Sequence, residues 1–154
     1  MRKVELLCIG GLKFRELKPV EQMFVKRINA HFNFSVTRLK DIGLNDERLV
    51  REKEAEKIIK HLNRDDVVIG LDEGGKEMSS AEFAGLLSRQ IDRARNRIVF
   101  IVGGYSGLSG TLDDYIDLKI SFSRLTFSHD IFRIVFLEQL YRAITIMKGI
   151  TYHR

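Results

Sequence analysis

The chain contains 154 residues, a length that fits one domain able to bury a core without help from disulfides or metal ions. Apolar residues make up 44% of the sequence and charged residues 31%, and no apolar run approaches the roughly 20 residues that span a bilayer, so we expect a cytoplasmic protein and no membrane partner. The 26 Lys and Arg against 21 Asp and Glu give a net charge of +5, which permits a polyanionic partner without proving one.

The first third of the chain alternates strand-like and helix-like segments. Residues 3–8 form an apolar run that predicts a strand, which contains Cys8 and is followed by two glycines. Because Cys8 is the single cysteine, an internal disulfide and a thiolate zinc cluster are excluded, and no metal is expected. Residues 17–30 carry apolar side chains at helical spacing, and residues 34–39 again predict a strand.

The middle of the chain repeats this alternation. Residues 46–62 predict a surface helix with an apolar seam, and residues 67–71 predict a buried strand that ends at the turn signal of residues 72–75. Ser79 and Glu82 have the spacing of a capping box, which predicts the start of a helix. The charged residues expected on the solvent side of the surface helix are Arg51, Glu52, Lys53, Glu54 and Glu56.

The last third of the chain contains the most apolar segments. Residues 98–102 predict a strand at the centre of a parallel sheet, because every one of them is apolar. A short helix is predicted near residues 111–115, a strand near residues 118–122 and a long helix over residues 130–148, with the tail 149–154 behind it. No repeat or linker interrupts the chain, so we expect one doubly wound α/β domain with a parallel sheet.

Three strand ends are candidates for a ligand site, because parallel strands end at one edge of a sheet, where turns expose backbone groups. These ends are residues 71–74, 103–108 and 122–127. The glycines of the second turn have the spacing G-G-x-x-G, unlike the G-x-G-x-x-G of dinucleotide sites, so a dinucleotide-binding oxidoreductase is a distant alternative. Taken alone, these glycines have a simple structural explanation, since they allow the chain to turn as it leaves a buried strand.

Four motifs occur in order along the chain: Ile101-Val102-Gly103-Gly104-Tyr105-Ser106-Gly107-Leu108, Leu125-Thr126-Phe127-Ser128-His129, Leu140-Tyr141-Arg142-Ala143 and Tyr152-His153-Arg154. As a set they resemble the small SPOUT-class RNA methyltransferases of the RlmH type, and the similarity covers essentially the whole chain. The resemblance implies an α/β fold with a C-terminal trefoil knot. It also implies methyl transfer from S-adenosylmethionine to N3 of a pseudouridine in 23S ribosomal RNA, on assembled ribosomes.

The resemblance assigns a cofactor site as well. S-adenosylmethionine is expected within the knot, where backbone groups bind its polar ends and apolar side chains form the walls. Ser128 stands where this family commonly has proline, and we expect Ser128 to cap the last helix instead. The expected cofactor-binding residues are Leu71, Gly103, Phe122, Ser123, Arg124, Leu125, Thr126 and Phe127.

Catalytic candidates follow from the same resemblance, and each has an ordinary structural explanation beside it. His129 begins a helix, where histidines commonly pack or cap, and Arg142 follows Glu138 at the spacing of a helical ion pair. Terminal tails commonly fray, whereas this family folds its tail over the active site. The expected catalytic set is His129, Arg142, Tyr152, His153 and Arg154, with His153 or His129 as base and Arg142 or Arg154 as electrostatic stabiliser.

The expected partners are ribosomal RNA and a second copy of the chain. Apolar side chains surround most of the last helix, more than one sheet can cover, so we expect a homodimer packed through it. The competing hypothesis is a non-catalytic RNA-binding or ribosome-assembly factor on the same fold. The residues expected in an RNA-facing rim, each also explained as a solvated charge, are Lys13, Arg15, Lys18, Arg89, Arg93, Arg95 and Arg97.

Overall fold

The computed structural model describes residues 1–152, which form a five-stranded parallel sheet in the order β2-β1-β4-β3-β5. The predicted parallel α/β fold is confirmed. In the described part of the chain, no helix combines the length and the apolar character of a transmembrane segment. The strands are β1 (Lys3–Ile9), β2 (Asn33–Leu39), β3 (Val67–Glu77), β4 (Arg97–Val102) and β5 (Leu118–Ser121), and the helices are α1 (Lys18–Asn29), α2 (Glu47–His61), α3 (Ser80–Arg93) and α4 (His129–Lys148).

The sheet separates two apolar layers, and β4 belongs to both. Phe100 faces the layer that β4 forms with α1, α3 and α4, whereas Ile101 faces the layer that it forms with α2. Both side chains are fully buried, as the pleat of a central strand requires. The prediction that residues 98–102 form the central strand is therefore confirmed.

β3 continues past its predicted end. Ile120 of β5 pairs both with Leu71 and with Lys76, so residues 72–75 form a bulge between two paired stretches. Gly75 passes β5 so closely that a Cβ atom there would lie 2.6 Å from the Ile120 backbone. The prediction that this strand ends at the glycines is wrong, because they permit a bulge and a close crossing instead of a turn away from the sheet.

Most of the predicted helix starts are confirmed by their caps. The Ser79 hydroxyl accepts the N–H of Glu82 while the Glu82 carboxylate accepts the N–H of Ser79, which is the predicted capping box. Ser128 caps α4 by accepting the N–H of Ile131, as expected for a residue that replaces proline. The short helix predicted near residues 111–115 is instead a single 3-10 turn at Gly110–Leu112.

Arg97 lies in an ion-pair network at the amino edge of the sheet, opposite to the edge where the candidate ligand turns lie. Its guanidinium binds the carboxylates of Glu5 and Asp66 and donates to the carbonyl of His61 at 2.9 Å. Glu5 is 4% exposed, and a buried carboxylate requires such a partner. The prediction that Arg97 belongs to an RNA-facing rim is therefore wrong, because its charge is used inside the fold.

Phe136 offers a direct test of how α4 packs on the sheet. Its ring is fully buried, and the centroid of the ring lies 4.9 Å from the Phe100 centroid and 6.0 Å from the Phe122 centroid. We expect Phe136→Ala to lower the free energy of unfolding by about 3–5 kcal/mol, measured by urea denaturation at fixed protein concentration. The exposed control Tyr115→Ala should change it by less than about 0.5 kcal/mol, and equal effects of the two would contradict this packing.

Candidate functional site

A cavity of about 260 Å³ opens at the carboxyl edge of the sheet, close to the lower end of the roughly 300–1,000 Å³ typical of small-molecule sites. The strand register explains its position, because Leu71 pairs with Val102 on one side and with Ile120 on the other. The turns that follow β3, β4 and β5 must therefore meet. The predicted site residues that line the cavity are Leu71, Gly103, Phe122, Ser123, Leu125, Thr126, Phe127 and His129.

Arg124 is the predicted cofactor residue that does not line this cavity. Its side chain is 84% exposed, and its Nε lies 3.0 Å from a carboxylate oxygen of Glu77. The turn nevertheless keeps a defined shape, since the Ser123 hydroxyl accepts the N–H of Leu125 at 2.9 Å. Arg124 therefore points away from the space that its neighbours enclose.

Two acidic residues at the mouth of the cavity are absent from the predicted site set. The Asp72 carboxylate accepts the N–H of Gly74 at 2.8 Å, and the Glu73 carboxylate accepts the hydroxyl of Thr126 at 3.2 Å. Both residues line the cavity. Asp72 braces the β3 bulge from within, and Glu73 joins the bulge to the turn after β5. Both give the mouth negative charge, which favours a cationic ligand.

The turn after β4 depends on Gly107 and Gly103 for different reasons. Gly107 has a φ of +77°, which favours glycine, and its N–H donates to the carbonyl of Gly104 at 2.9 Å. A Cβ atom on Gly103 would lie 2.8 Å from the Gly107 carbonyl oxygen. The backbone of Gly103 therefore packs directly against the backbone of Gly107. No side chain from these glycines fills the adjoining cavity.

Glu54 of α2 lies directly beneath this turn. It is 3% exposed, and its Oε2 accepts the N–H of Gly104 at 3.3 Å. Burial raises the pKa of Glu54, and the hydrogen bond from Gly104 partly opposes this increase. The prediction that Glu54 lies on the solvent side of α2 is therefore wrong. A charged residue in a charged stretch carries no sequence signal that it binds a buried backbone amide.

Glu52 of α2 binds a later part of the segment that connects β4 to β5. Its carboxylate oxygens accept the hydroxyls of Ser109 and Thr111, each at 2.6 Å, and these hydrogen bonds lower the pKa of Glu52. Because Glu54 binds the amide of Gly104, α2 holds the first half of the segment between β4 and β5 at two points. The shape of the cavity therefore depends on a helix that does not line it.

His129 begins α4 and lines the cavity. Burial lowers the pKa of its imidazole, the positive charges of Arg133 and Lys13 lower it further, and Asp130 partly opposes them. These effects favour the neutral imidazole over the imidazolium. A neutral imidazole at the wall of a cavity is able to accept a proton from a bound molecule.

Arg133 carries a fully buried positive charge behind His129. It is 1% exposed, and its Nη2 donates to the carbonyl of Ile9 at 2.7 Å. Within residues 1–152, its Nε and Nη1 have no hydrogen-bond partner. Its positive charge acts on the cavity wall, where it contributes to the lowered pKa of His129.

Arg142 and Tyr152 form a separate cluster farther along α4. Both bind the Glu138 carboxylate, Arg142 Nε at 3.0 Å and the Tyr152 hydroxyl at 3.2 Å, and the Arg142 guanidinium lies over the Tyr152 ring. Arg142 is 13 residues beyond His129 on one helix, which corresponds to about 20 Å. His129 and Arg142 therefore do not meet within one chain, whereas His153 and Arg154 lie outside the described residues.

The family described as "Predicted SPOUT methyltransferase" matches residues 2–153 of this sequence, which includes all three turns around the cavity. The chain belongs to the SPOUT methyltransferase family. The family resemblance of the sequence motifs is confirmed by this match, whereas the C-terminal trefoil knot that the family implies stays a prediction.

Similar SPOUT methyltransferases resemble this chain along nearly its whole length. The ribosomal RNA large subunit methyltransferase H of Caldicellulosiruptor saccharolyticus is 39% identical over 154 residues, which cover 98% of this chain and 99% of that protein. Proteins with the same name from Bacteroides thetaiotaomicron and Christiangramia forsetii are 37% and 35% identical over 98% and 97% of this chain, and 98% of each relative is covered.

The contact between Gly104 and Glu54 in this SPOUT chain can be tested by a double-mutant cycle. A Cβ atom at position 104 would lie 2.4 Å from Glu54 Oε1, so we expect Gly104→Ala to destabilise the fold by about 1–3 kcal/mol. In a Glu54→Ala background most of this loss should disappear, because the colliding carboxylate is gone. Gly110→Ala, whose Cβ would meet nothing closer than 3.9 Å, is the matched control in urea denaturation. Additive effects of the two substitutions would refute the contact.

The field acting on His129 can be measured by NMR titration of the imidazole protons. Lys13→Gln removes a positive charge that disfavours the imidazolium, so we expect the pKa of His129 to rise. Lys148→Gln is the matched control, since the Lys148 charge lowers the pKa of His31 instead. An unchanged pKa of His129 in Lys13→Gln would contradict the proximity of these two groups.

Proposed function

We propose that this protein is an S-adenosylmethionine-dependent methyltransferase that methylates N3 of a pseudouridine in large-subunit ribosomal RNA. The observation that carries the proposal is the cavity formed by the three turns, in a chain that is similar over its full length to proteins named ribosomal RNA large subunit methyltransferase H. Assembled ribosomes are the preferred substrate, because a chain of 154 residues has little surface with which to select one nucleotide unaided.

The residues of the cavity fit a cationic methyl donor. S-adenosylmethionine supplies a methyl group on a positively charged sulfur, together with an amino-acid end and an adenine. Asp72 and Glu73 give the mouth the negative charge that complements such a molecule. Leu71, Leu108 and Phe132 form apolar walls, and the turn at Gly103 presents backbone without a Cβ atom in the way. These features support a donor site between the three turns.

Proton removal is assigned to His129, with His153 as the second candidate. N3 of a pseudouridine is an imide nitrogen that becomes nucleophilic as its proton leaves. His129 lines the cavity, and burial together with the charges of Arg133 and Lys13 lowers the pKa of its imidazole, which keeps it unprotonated. The same two cations favour the negative charge that develops on the imide. The main contribution of the protein is alignment of base and donor.

Arg142 and Tyr152 reach a cavity only if it belongs to a second copy of the chain. Arg142 is about 20 Å from His129 of its own chain, measured along α4, and the Tyr152 ring lies against the Arg142 guanidinium. α4 also exposes Ile131 and Met147 near its two ends, at 40% and 38%. We infer a homodimer in which two antiparallel α4 helices pack together, so that the Arg142 cluster and the tail of one chain cover the cavity of its partner.

Mixed dimers test this arrangement. His129→Ala and Arg142→Ala should each reduce methylation of ribosomes by at least about tenfold. After the two inactive variants are unfolded together and refolded, half of the dimers are mixed, and each mixed dimer has one intact site. We therefore expect about a quarter of the wild-type activity to return. If each site used residues of one chain, mixing would restore nothing, and that result would refute the shared site.

The enzymatic function is tested by incubating the purified protein with S-adenosylmethionine labelled in the methyl group and either assembled ribosomes or naked ribosomal RNA. Label is expected on ribosomes, at one pseudouridine that mass spectrometry locates. S-adenosylhomocysteine at 100 times its dissociation constant should stabilise the fold by about 2.7 kcal/mol, seen as a higher melting temperature. Absence of both label and thermal shift would favour the non-catalytic RNA-binding factor.

A further inference from the structure

The segment between β1 and α1 is held against α4 through its backbone. The Asp130 carboxylate, which is 4% exposed, accepts the N–H groups of Lys13 and Phe14 at 2.7 and 2.6 Å. One helical turn later, the buried Arg133 guanidinium binds the carbonyl of Ile9, where the segment begins. Because these bonds involve backbone atoms of the segment, its conformation does not depend on which side chains it carries.

The side chains of residues 13–16 are exposed, and Glu16 is the one acid among them. Phe14 is 51% exposed, although a phenylalanine of a soluble protein is normally buried. Lys13, Arg15 and Lys18 are exposed around it, and no ion pair found among residues 1–152 involves any of the three. An aromatic ring flanked by unpaired cations is thus fixed at the surface.

We propose that residues 10–18 form a docking platform for the substrate RNA, in which Phe14 stacks on an unpaired base while Lys13, Arg15 and Lys18 contact phosphates. Proteins hold single-stranded RNA by this combination, because every base has a face for stacking and every linkage carries a negative charge. The platform rests on the proposed function, since it assigns a role in RNA methylation to a segment that does not line the cavity.

The position of the platform supports RNA as its occupant. Asp130 anchors the segment, and it directly follows His129, which lines the cavity. A nucleotide stacked on Phe14 therefore lies beside the target base. A second copy of this chain fits less well, because three unpaired cations around the ring would have to be buried against a chain of net charge +5.

Phe14 is tested by steady-state methylation of assembled ribosomes. Phe14→Ala should raise the KM for ribosomes about tenfold with kcat unchanged, as expected for the loss of one base–aromatic stack in binding. Phe14→Tyr keeps the ring and should behave like wild type, whereas Phe14→Leu keeps apolar area without a ring and should behave like Phe14→Ala. Tyr115→Ala removes another exposed aromatic side chain, 47% exposed before the start of β5, and should have no effect.

The cations are tested by the salt dependence of binding. A fluorescein-labelled fragment of large-subunit ribosomal RNA is titrated with protein at several salt concentrations. Lys13→Gln and Arg15→Gln should each lower the slope of log affinity against log salt by about 0.7, the contribution of one phosphate contact on a single strand. Arg64→Gln, at an exposed position before β3 on the opposite edge of the sheet, should leave the slope unchanged.

The outcomes separate the platform from the proposed function. If wild type methylates ribosomes and Phe14→Ala does so with the same KM, the platform is refuted and the function stands. If wild type labels no RNA, the function fails, and the RNA platform fails with it. If Phe14→Ala converts a dimer to a monomer in sedimentation, the segment is a contact between subunits, and the RNA role is refuted.

Discussion

Parallel pairing of β3 with both β4 and β5 is the constraint on which the site depends. Leu71 is aligned with Val102 and with Ile120, so three segments far apart in sequence leave the sheet at one edge. A slip of one residue in either pairing would turn every side chain of that strand to the opposite layer, where its size and polarity do not fit. The two apolar layers therefore fix the register, and the register fixes the cavity.

Buried carboxylates then determine the shape of that edge. Turns expose backbone N–H groups that no strand satisfies, and each such group is costly if it is buried without a partner. Glu54 provides the acceptor for Gly104, and Asp130 provides it for Lys13 and Phe14. One carboxylate thus shapes the proposed donor site and the other fixes the proposed RNA platform, so both parts of the site depend on acids that remain inside the fold.

Patterns local in sequence were sufficient for much of the fold. The apolar run of β4 predicted a central strand, and the spacing of Ser79 and Glu82 predicted a capped helix, because burial on both faces and capping each depend on neighbouring residues. The second half of β3 was missed, since its pairing after the bulge depends on β5, a segment distant in sequence. No local rule distinguishes glycines that end a strand from glycines that permit a bulge.

The site was predicted in part. Family motifs identified the residues around the cavity from Leu71 to His129, but they did not indicate that Arg124 points away. Glu54 was missed because it belongs to a stretch rich in charged residues, whereas its own side chain binds the glycine turn. The separation of Arg142 from His129 follows from the length of α4, which the motifs taken one at a time did not reveal.

The most direct test of the donor site is amide hydrogen exchange with and without S-adenosylhomocysteine. We expect slower exchange on binding in three separate segments together, residues 71–74, 103–108 and 122–127, because one molecule would contact all three turns. Residues 94–96, which lie between α3 and β4 at the opposite edge of the sheet, should exchange at the same rate in both states. Protection of a single turn, or protection confined to another part of the chain, would contradict a shared donor site.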